Sequence, residues 1–309
     1  MPDEVIRSLT VSGVPYTYRL LRRSGHDGSG ARTQPVLVIG GALQGMGGWQ
    51  QLENVLGPVA DVVTADLPGM GGAAPLPPGP SHDLLCRALE GILDDLRYER
   101  VNVFGFSYGA GLAHGCARRF PHRVARMMLG GVPAHIGDAL VRAVRRAQWS
   151  LARGDAESFA EQTAAVMLCL DESRHVTRRA LAYRYVRRSL LHTARHSPHL
   201  GESLRRALTE PADFSGGPTG VPTLVFSGEH DTVTSAERQR AFAERIGARR
   251  FLTIPDADHW VVLERARDTA DLAARFFTDR PLADAPCLRR VPREHGERPA
   301  PVPSGAGRR

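Results

Sequence analysis

Lysine is missing altogether: every one of the 40 basic residues in this 309-residue sequence is arginine. Such one-sided usage follows a genome-wide codon bias towards arginine and alanine, so the formal net charge of +7 and the isoelectric point near 9.8 carry little information about partners. Aromatic residues make up only 6%, too few for the stacking platforms that nucleic-acid binders use, and no nucleic-acid reading motif is present. No apolar run approaches the roughly 18 uncharged residues a membrane span needs. The start, Met1 to Arg7, lacks a basic stretch followed by an apolar block, so a soluble, unexported protein is expected. Cys86, Cys116, Cys169 and Cys287 are scattered without C-x-x-C spacing, which argues against a zinc site and a disulfide framework and points to a reduced cytoplasm.

What is present is a globular composition, 42% hydrophobic, sufficient for a large core. The sequence is organised around Gly105-Phe106-Ser107-Tyr108-Gly109. This G-x-S-x-G pentapeptide follows the apolar run Val101 to Phe104 and precedes the small residues Ala110 to Ala113. A strand passing through it into a helix makes a nucleophile elbow, a strained turn that lifts the serine hydroxyl above the sheet. Bulk at either glycine would collide with the neighbouring strand or helix.

Residues 8–22 alternate apolar and polar about Gly13, as a hairpin does. Pro35 to Ile39, Val59 to Asp66, Val101 to Phe104 and Val124 to Val132 then alternate with helical segments near Trp49 to Leu56, Ser81 to Tyr98 and from the elbow to about Phe120. This alternation predicts an α/β fold with a mostly parallel, doubly wound sheet. It stops at Pro133. The next stretch is helical throughout, including Ala139 to Ala152, Ala156 to Leu170 and about Arg174 to His196, with Met167, Leu168, Leu170, Tyr183, Tyr185 and Val186 as candidates for its inner surface. The sheet pattern resumes with Thr223 to Ser227 and Arg250 to Ile254. The expected organisation is a core of residues 1–132 and 212–280, an inserted helical cap of residues 133–211 and a proline- and arginine-rich disordered tail of residues 281–309.

A serine becomes a nucleophile only when a base takes its proton, and a histidine base needs an acid to orient it. Asp231 and His259 follow the strands ending near Ser227 and Ile254, at the carboxyl ends where open α/β sheets place their sites. They complete the order Ser107, Asp231, His259. Glu229, Asp256 and Asp258 are rivals for the acid. The oxyanion of an acyl-transfer intermediate requires two backbone donors. One is expected at Tyr108, at the helix N-terminus; the other lies in the Gly40-Gly41-Ala42-Leu43 turn, at Ala42 or alternatively Leu43.

These segments, together with Asp66-Leu67-Pro68-Gly69-Met70-Gly71 and Gly228-Glu229-His230-Asp231, make the chain resemble the α/β-hydrolase superfamily over roughly residues 8 to 278. The likeness is to its lid-bearing branch of small esterases, thioesterases, carbon–carbon bond hydrolases and iminopeptidase-like enzymes. The resemblance implies a serine hydrolase that forms an acyl-enzyme on a small-molecule acyl substrate, with no cofactor and no metal. Relatives with an aspartate elbow, dehalogenases and epoxide hydrolases, are disfavoured by Ser107. Relatives usually carry His-Gly where this chain has Gly40-Gly41, so the oxyanion loop lacks its usual brace. The same scaffold also serves acyltransferases, cyclases, lyases and non-catalytic binding proteins. Arg174, Arg178, Arg179, Arg184, Arg187, Arg188 and Arg195 form an acid-free stretch in the helical segment. It is either a solvated face or a dock for an anionic group such as an acidic carrier protein.

Overall fold

The computed structural model describes residues 3–23, 33–42, 44–77, 79, 81–197, 200–209 and 212–288. The N-terminal hairpin pairs β1 (Glu4–Val11) with β2 (Val14–Leu21). Ser12 and Gly13 form its two-residue turn, both at positive φ (49° and 80°), the backbone that matches the twist of the flanking strands. β2 then pairs antiparallel with β4 (Val62–Asp66). All later pairings are parallel, through β3 (Val36–Ile39), β5 (Val101–Phe106), β6 (Val124–Gly130), β7 (Thr223–Gly228) and β8 (Arg250–Ile254). The order across the sheet is β1-β2-β4-β3-β5-β6-β7-β8.

The central strands are apolar on both faces because both are covered. Leu37, Ile39, Val103, Met127, Leu129 and Val225 face α2 (His82–Asp95), α3 (Tyr108–Arg119) and α8 (Ala236–Arg245). Their neighbours Val36, Val38, Phe104, Met128, Leu224 and Phe226 face α1 (Gln50–Leu56) and α10 (Ala266–Phe277). The two-residue repeat of a strand sends alternate side chains into the two cores.

Between β6 and β7 the described residues form four helices: α4 (Asp138–Ala152), α5 (Ala156–Met167), α6 (Arg179–His196) and α7 (Leu200–Thr209). Helix α6 begins later than its sequence pattern suggests, after Arg178, which sits in the left-handed region at φ 58°. The four helices enclose a third apolar cluster that includes Phe159, Leu168, Val186, Leu190, Leu200 and Leu204. Met167 and Tyr183 pack at its margin, whereas Leu170 and Tyr185 are exposed. One member comes from elsewhere: Trp260, in the turn after β8, is inserted into this cluster. Further ties join the layer to the sheet. Thr177 N donates to Asp256 O at 2.8 Å, Ser203 Oγ donates to Gly69 O at 2.7 Å, and the buried Arg206 guanidinium donates to Pro77 O and Gly79 O. Trp260→Ala is expected to lower the unfolding free energy by about 3–5 kcal/mol, measured by urea denaturation, because it empties a site shared by two layers.

The C-terminal segment departs from expectation at its start. Residues 281–288 are ordered: two 3-10 turns, Leu282–Asp284 and Pro286–Leu288, bury Ala285 and Cys287 in the cluster beneath α10. Proline and arginine content obscured a short apolar repeat that covers the sheet edge. Residues 289–309 lie outside the described residues.

Candidate active site

Ser107 stands between β5 and α3 with φ 52° and ψ −122°, a conformation costly for a residue with a side chain and held only where the surroundings enforce it. The enforcement is visible. Ser107 N donates to Gly130 O at 2.8 Å, and a Cβ on Gly109 would stand 2.3 Å from the carbonyl oxygens of Ile39 and Gly40. Strand and helix can meet this closely only with glycine there.

The turns after β7 and β8 bring the other two expected residues to the same edge. Ser107 Oγ and His259 Nε2 are 3.1 Å apart, and His259 Nδ1 is 3.0 Å from Asp231 Oδ2. The Asp231 carboxylate also accepts from Val233 N (2.9 Å), Thr234 N (2.7 Å) and Thr234 Oγ1 (2.8 Å). Four contacts on two oxygens fix its orientation. With the Nδ1 proton directed at the carboxylate, Nε2 is left as the acceptor for the serine hydroxyl. The His259 ring also packs against Phe106 at 5.5 Å between centroids. Burial opposes the imidazolium, but the charge and hydrogen bond of Asp231, with a contribution from Asp258, outweigh it and raise the His259 pKa above its ordinary 6.5.

The rival acids are engaged elsewhere. Glu229 accepts from Asp256 N at 3.1 Å, Asp256 pairs with His175 at 3.2 Å, and Asp258 accepts from Cys169 N and Trp260 N. Glu229, His230 and Asp256 bring potential ligand atoms within 4.8 Å of one another. These partly exposed groups are already committed to backbone and ion-pair contacts, and we assign them no metal.

Gln44 was not legible as a site residue. Its side chain accepts from Gly41 N at 2.8 Å while its own N donates to Gly41 O at 2.9 Å. This pair closes the turn that Gly40-Gly41 opens and supplies a brace in place of a histidine. A Cβ on Gly41 would stand 3.3 Å from Ser107 Cβ, so the turn lies against the serine. Ala42 follows it and Tyr108 begins α3, while Leu43 lies outside the described residues. Asp66 then links two loops, accepting from Met46 N (2.6 Å) and Gly72 N (2.8 Å). A side chain on Gly71, at φ 52°, would overlap that carboxylate.

A cavity of about 720 Å³ opens beside this edge. Ala42 and Trp260, neighbours of the Ser107 and His259 turns, form part of its wall, although Ser107 itself does not. Glycine-rich loops make one side. Tyr185, Ser189, His192, Thr193 and His196 of α6 make the other, with the two imidazoles stacked at 4.3 Å. Among the described residues the wall has no arginine and no carboxylate. The arginine stretch is partly matched from within its own layer: Arg187 and Arg195 pair with Glu161 and Glu157 of α5, Arg174 with Asp171, and Arg179 binds the Asp171 and Arg174 carbonyls.

An eight-stranded, mostly parallel sheet flanked by helices, with a serine at the turn after its central strand, is the architecture of the α/β hydrolases. The chain belongs to the alpha/beta hydrolase fold family, which matches residues 34–266. It is 24% identical over 266 residues to 2-hydroxy-6-oxo-6-phenylhexa-2,4-dienoate hydrolase of Comamonas testosteroni, covering 82% of this chain and 91% of that protein. It is 26% identical over 302 residues to 2-hydroxymuconate semialdehyde hydrolase of Pseudomonas sp. strain CF600, covering 92% and 97%. Among solved structures, the enol-lactonase from Burkholderia xenovorans LB400 superposes with a TM-score of 0.71 at 21% identity over 88% of this chain and all of that one. Among the described residues no helix is long and apolar enough to cross a membrane.

Proposed function

We propose that the chain is a serine hydrolase that cleaves an ester, thioester or similar acyl bond of a small molecule through an acyl-enzyme. The observation that carries this reading is the hydrogen-bonded series from Ser107 Oγ to His259 Nε2 and from Nδ1 to Asp231 Oδ2, at 3.1 and 3.0 Å. Ser107 attacks the carbonyl carbon as His259 takes its proton. The oxyanion is held by the N–H groups of Tyr108, at the positive end of α3, and of Ala42. His259 gives the proton to the leaving group. Water, activated by the same histidine, then releases the acid and frees Ser107.

The helices between β6 and β7 act as a cap that closes the substrate cavity. Hydroxyls and the His192 and His196 imidazoles on its wall favour a substrate whose end remote from the reacting carbonyl is polar. The relatives named for oxo-dienoates and a semialdehyde support a carbonyl electrophile. A dienoate carboxylate would find the two imidazoles as the only cation-forming side chains among the described residues of that wall.

A fluorophosphonate probe tests the reading without knowledge of the substrate, since it reacts with activated serines. Mass spectrometry should find one adduct, on Ser107; an unlabelled protein would refute acyl-enzyme chemistry. Gln44→Ala should lower kcat about 10- to 100-fold with a smaller change in KM, as expected when an oxyanion donor loses its position. Steady-state kinetics on p-nitrophenyl acetate reads this directly, and an unchanged kcat would remove Gln44 from the account.

A further inference from the structure

Two buried acids flank the His259 turn: Asp258 just before it, and Glu264 at the end of the short helix α9 (Val261–Glu264) that follows. Asp258 is fully buried and Glu264 is 2% exposed. Asp258 Oδ2 accepts from Cys169 N at 2.8 Å, in the connection between α5 and α6, and Oδ1 accepts from Trp260 N at 2.7 Å. Asp258 N donates to Glu264 Oε2 at 2.7 Å. The other Glu264 oxygen, Oε1, has no hydrogen-bond partner among the described residues. A carboxylate buried beside a second carboxylate, with one oxygen unmatched among the described residues, is costly, and no step of the acyl chemistry uses either group.

We infer that the buried Asp258–Glu264 carboxyl pair is a positioning device for His259, fixing the turn that carries the imidazole and fastening it to the α5–α6 connection. Buried together, with the backbone of one bound to the carboxyl of the other, the two groups resist carrying charge at the same time. Two backbone N–H donors hold the charge on Asp258, so the proton resides on Glu264. Burial, and then the Asp258 charge, push the Glu264 pKa from its ordinary 4.5 up to about 9, against the pull of Arg179 from α6. Among the described residues, the charged groups that act on Glu264 are Asp258, which has His259 beside it, and Arg179. Above about pH 9 the proton is lost and two like charges share the site. The turn of residues 258–260 then moves, taking the imidazole away from Ser107 and releasing Cys169. This role rests on the hydrolase reading above for its kinetic consequence but not for its effect on stability.

Folded Glu264 keeps a proton that the unfolded chain releases. Its contribution to stability is therefore fully present below about pH 4.5 and is lost as pH rises towards about 9. Glu264→Gln mimics the protonated acid and cannot ionise. The experiment compares wild type, E264Q and D258N by kcat/KM on p-nitrophenyl acetate from about pH 6 to 10 and by thermal unfolding over the same range. Wild-type kcat/KM should fall about tenfold per pH unit above about pH 9. The E264Q enzyme should match it near pH 7 and lack that fall, with a melting temperature that declines less with pH. D258N turns an amide donor towards the N–H of Cys169 or Trp260. It should lose about tenfold in kcat/KM near pH 7, where E264Q does not. The same alkaline loss in wild type and E264Q, or parallel melting profiles, would overturn the inference. Should all three proteins be inactive, the hydrolase reading fails while the melting comparison still decides the carboxyl pair.

Discussion

Alanine at position 107 is expected to reduce kcat for ester hydrolysis roughly 10⁴- to 10⁶-fold, leaving the fold intact. The loss is this large because the serine oxygen is the atom that forms the covalent intermediate. Without it, water must attack directly, helped only by bound-state geometry and the oxyanion donors. Stability should change little. Ser107 Oγ contacts His259 Nε2, and alanine and serine tolerate φ 52° about equally poorly, so the strain of the elbow is common to both. Steady-state and single-turnover rates on the same p-nitrophenyl ester, with thermal unfolding as the control, separate chemistry from folding. A variant that keeps its fold and more than about a tenth of the wild-type rate would show that another group carries the reaction.

The sequence exposed those parts of the molecule that are local in the chain. The alternation of apolar strands with helices gave the order of elements, since each strand and helix carries its own period. The serine was visible because an elbow needs glycines at fixed offsets, and Asp231 and His259 because each follows a strand end. The choice of Asp231 over Glu229, Asp256 and Asp258 rested on small differences of turn position. In three dimensions the distinction is sharper: the other three spend their oxygens on Asp256 N, His175, Cys169 N and Trp260 N. Gln44 was hidden because a side chain reaching back to Gly41 N leaves no periodic trace. The partnership of Trp260 with the four-helix layer was hidden for a related reason, since it shares a cluster with Leu168, Val186 and other residues far away in the chain. Composition misled at the C-terminus, where Ala285 and Cys287 are buried within a stretch whose overall content is that of a tail.

Asp231→Asn is expected to reduce kcat by about 10⁴-fold near neutral pH, and the reason lies in which atoms surround the carboxylate. Oδ1 faces two backbone donors, Val233 N and Thr234 N, so the asparagine oxygen must take that side. The amide nitrogen then replaces Oδ2, opposite His259 Nδ1 and Thr234 Oγ1. A hydroxyl can turn to accept from it, but an Nδ1–H cannot. The imidazole is driven into the tautomer with Nδ1 bare and Nε2 protonated, and a protonated Nε2 cannot take the proton of Ser107. The pH profile supplies a second readout of the same substitution. In the wild type, burial disfavours the imidazolium, yet Asp231 overrides it and the pKa lies above 6.5. Activity needs the neutral base, so kcat/KM should rise with pH through a midpoint above that value. In the variant the charge and hydrogen bond of Asp231 are gone while burial remains, opposed only by the smaller Asp258 contribution, and the midpoint should move downward. Rates measured from about pH 5 to 8 at constant ionic strength test both expectations. A wild-type rate, or an acid limb that stays in place, would mean that Asp231 does not orient His259.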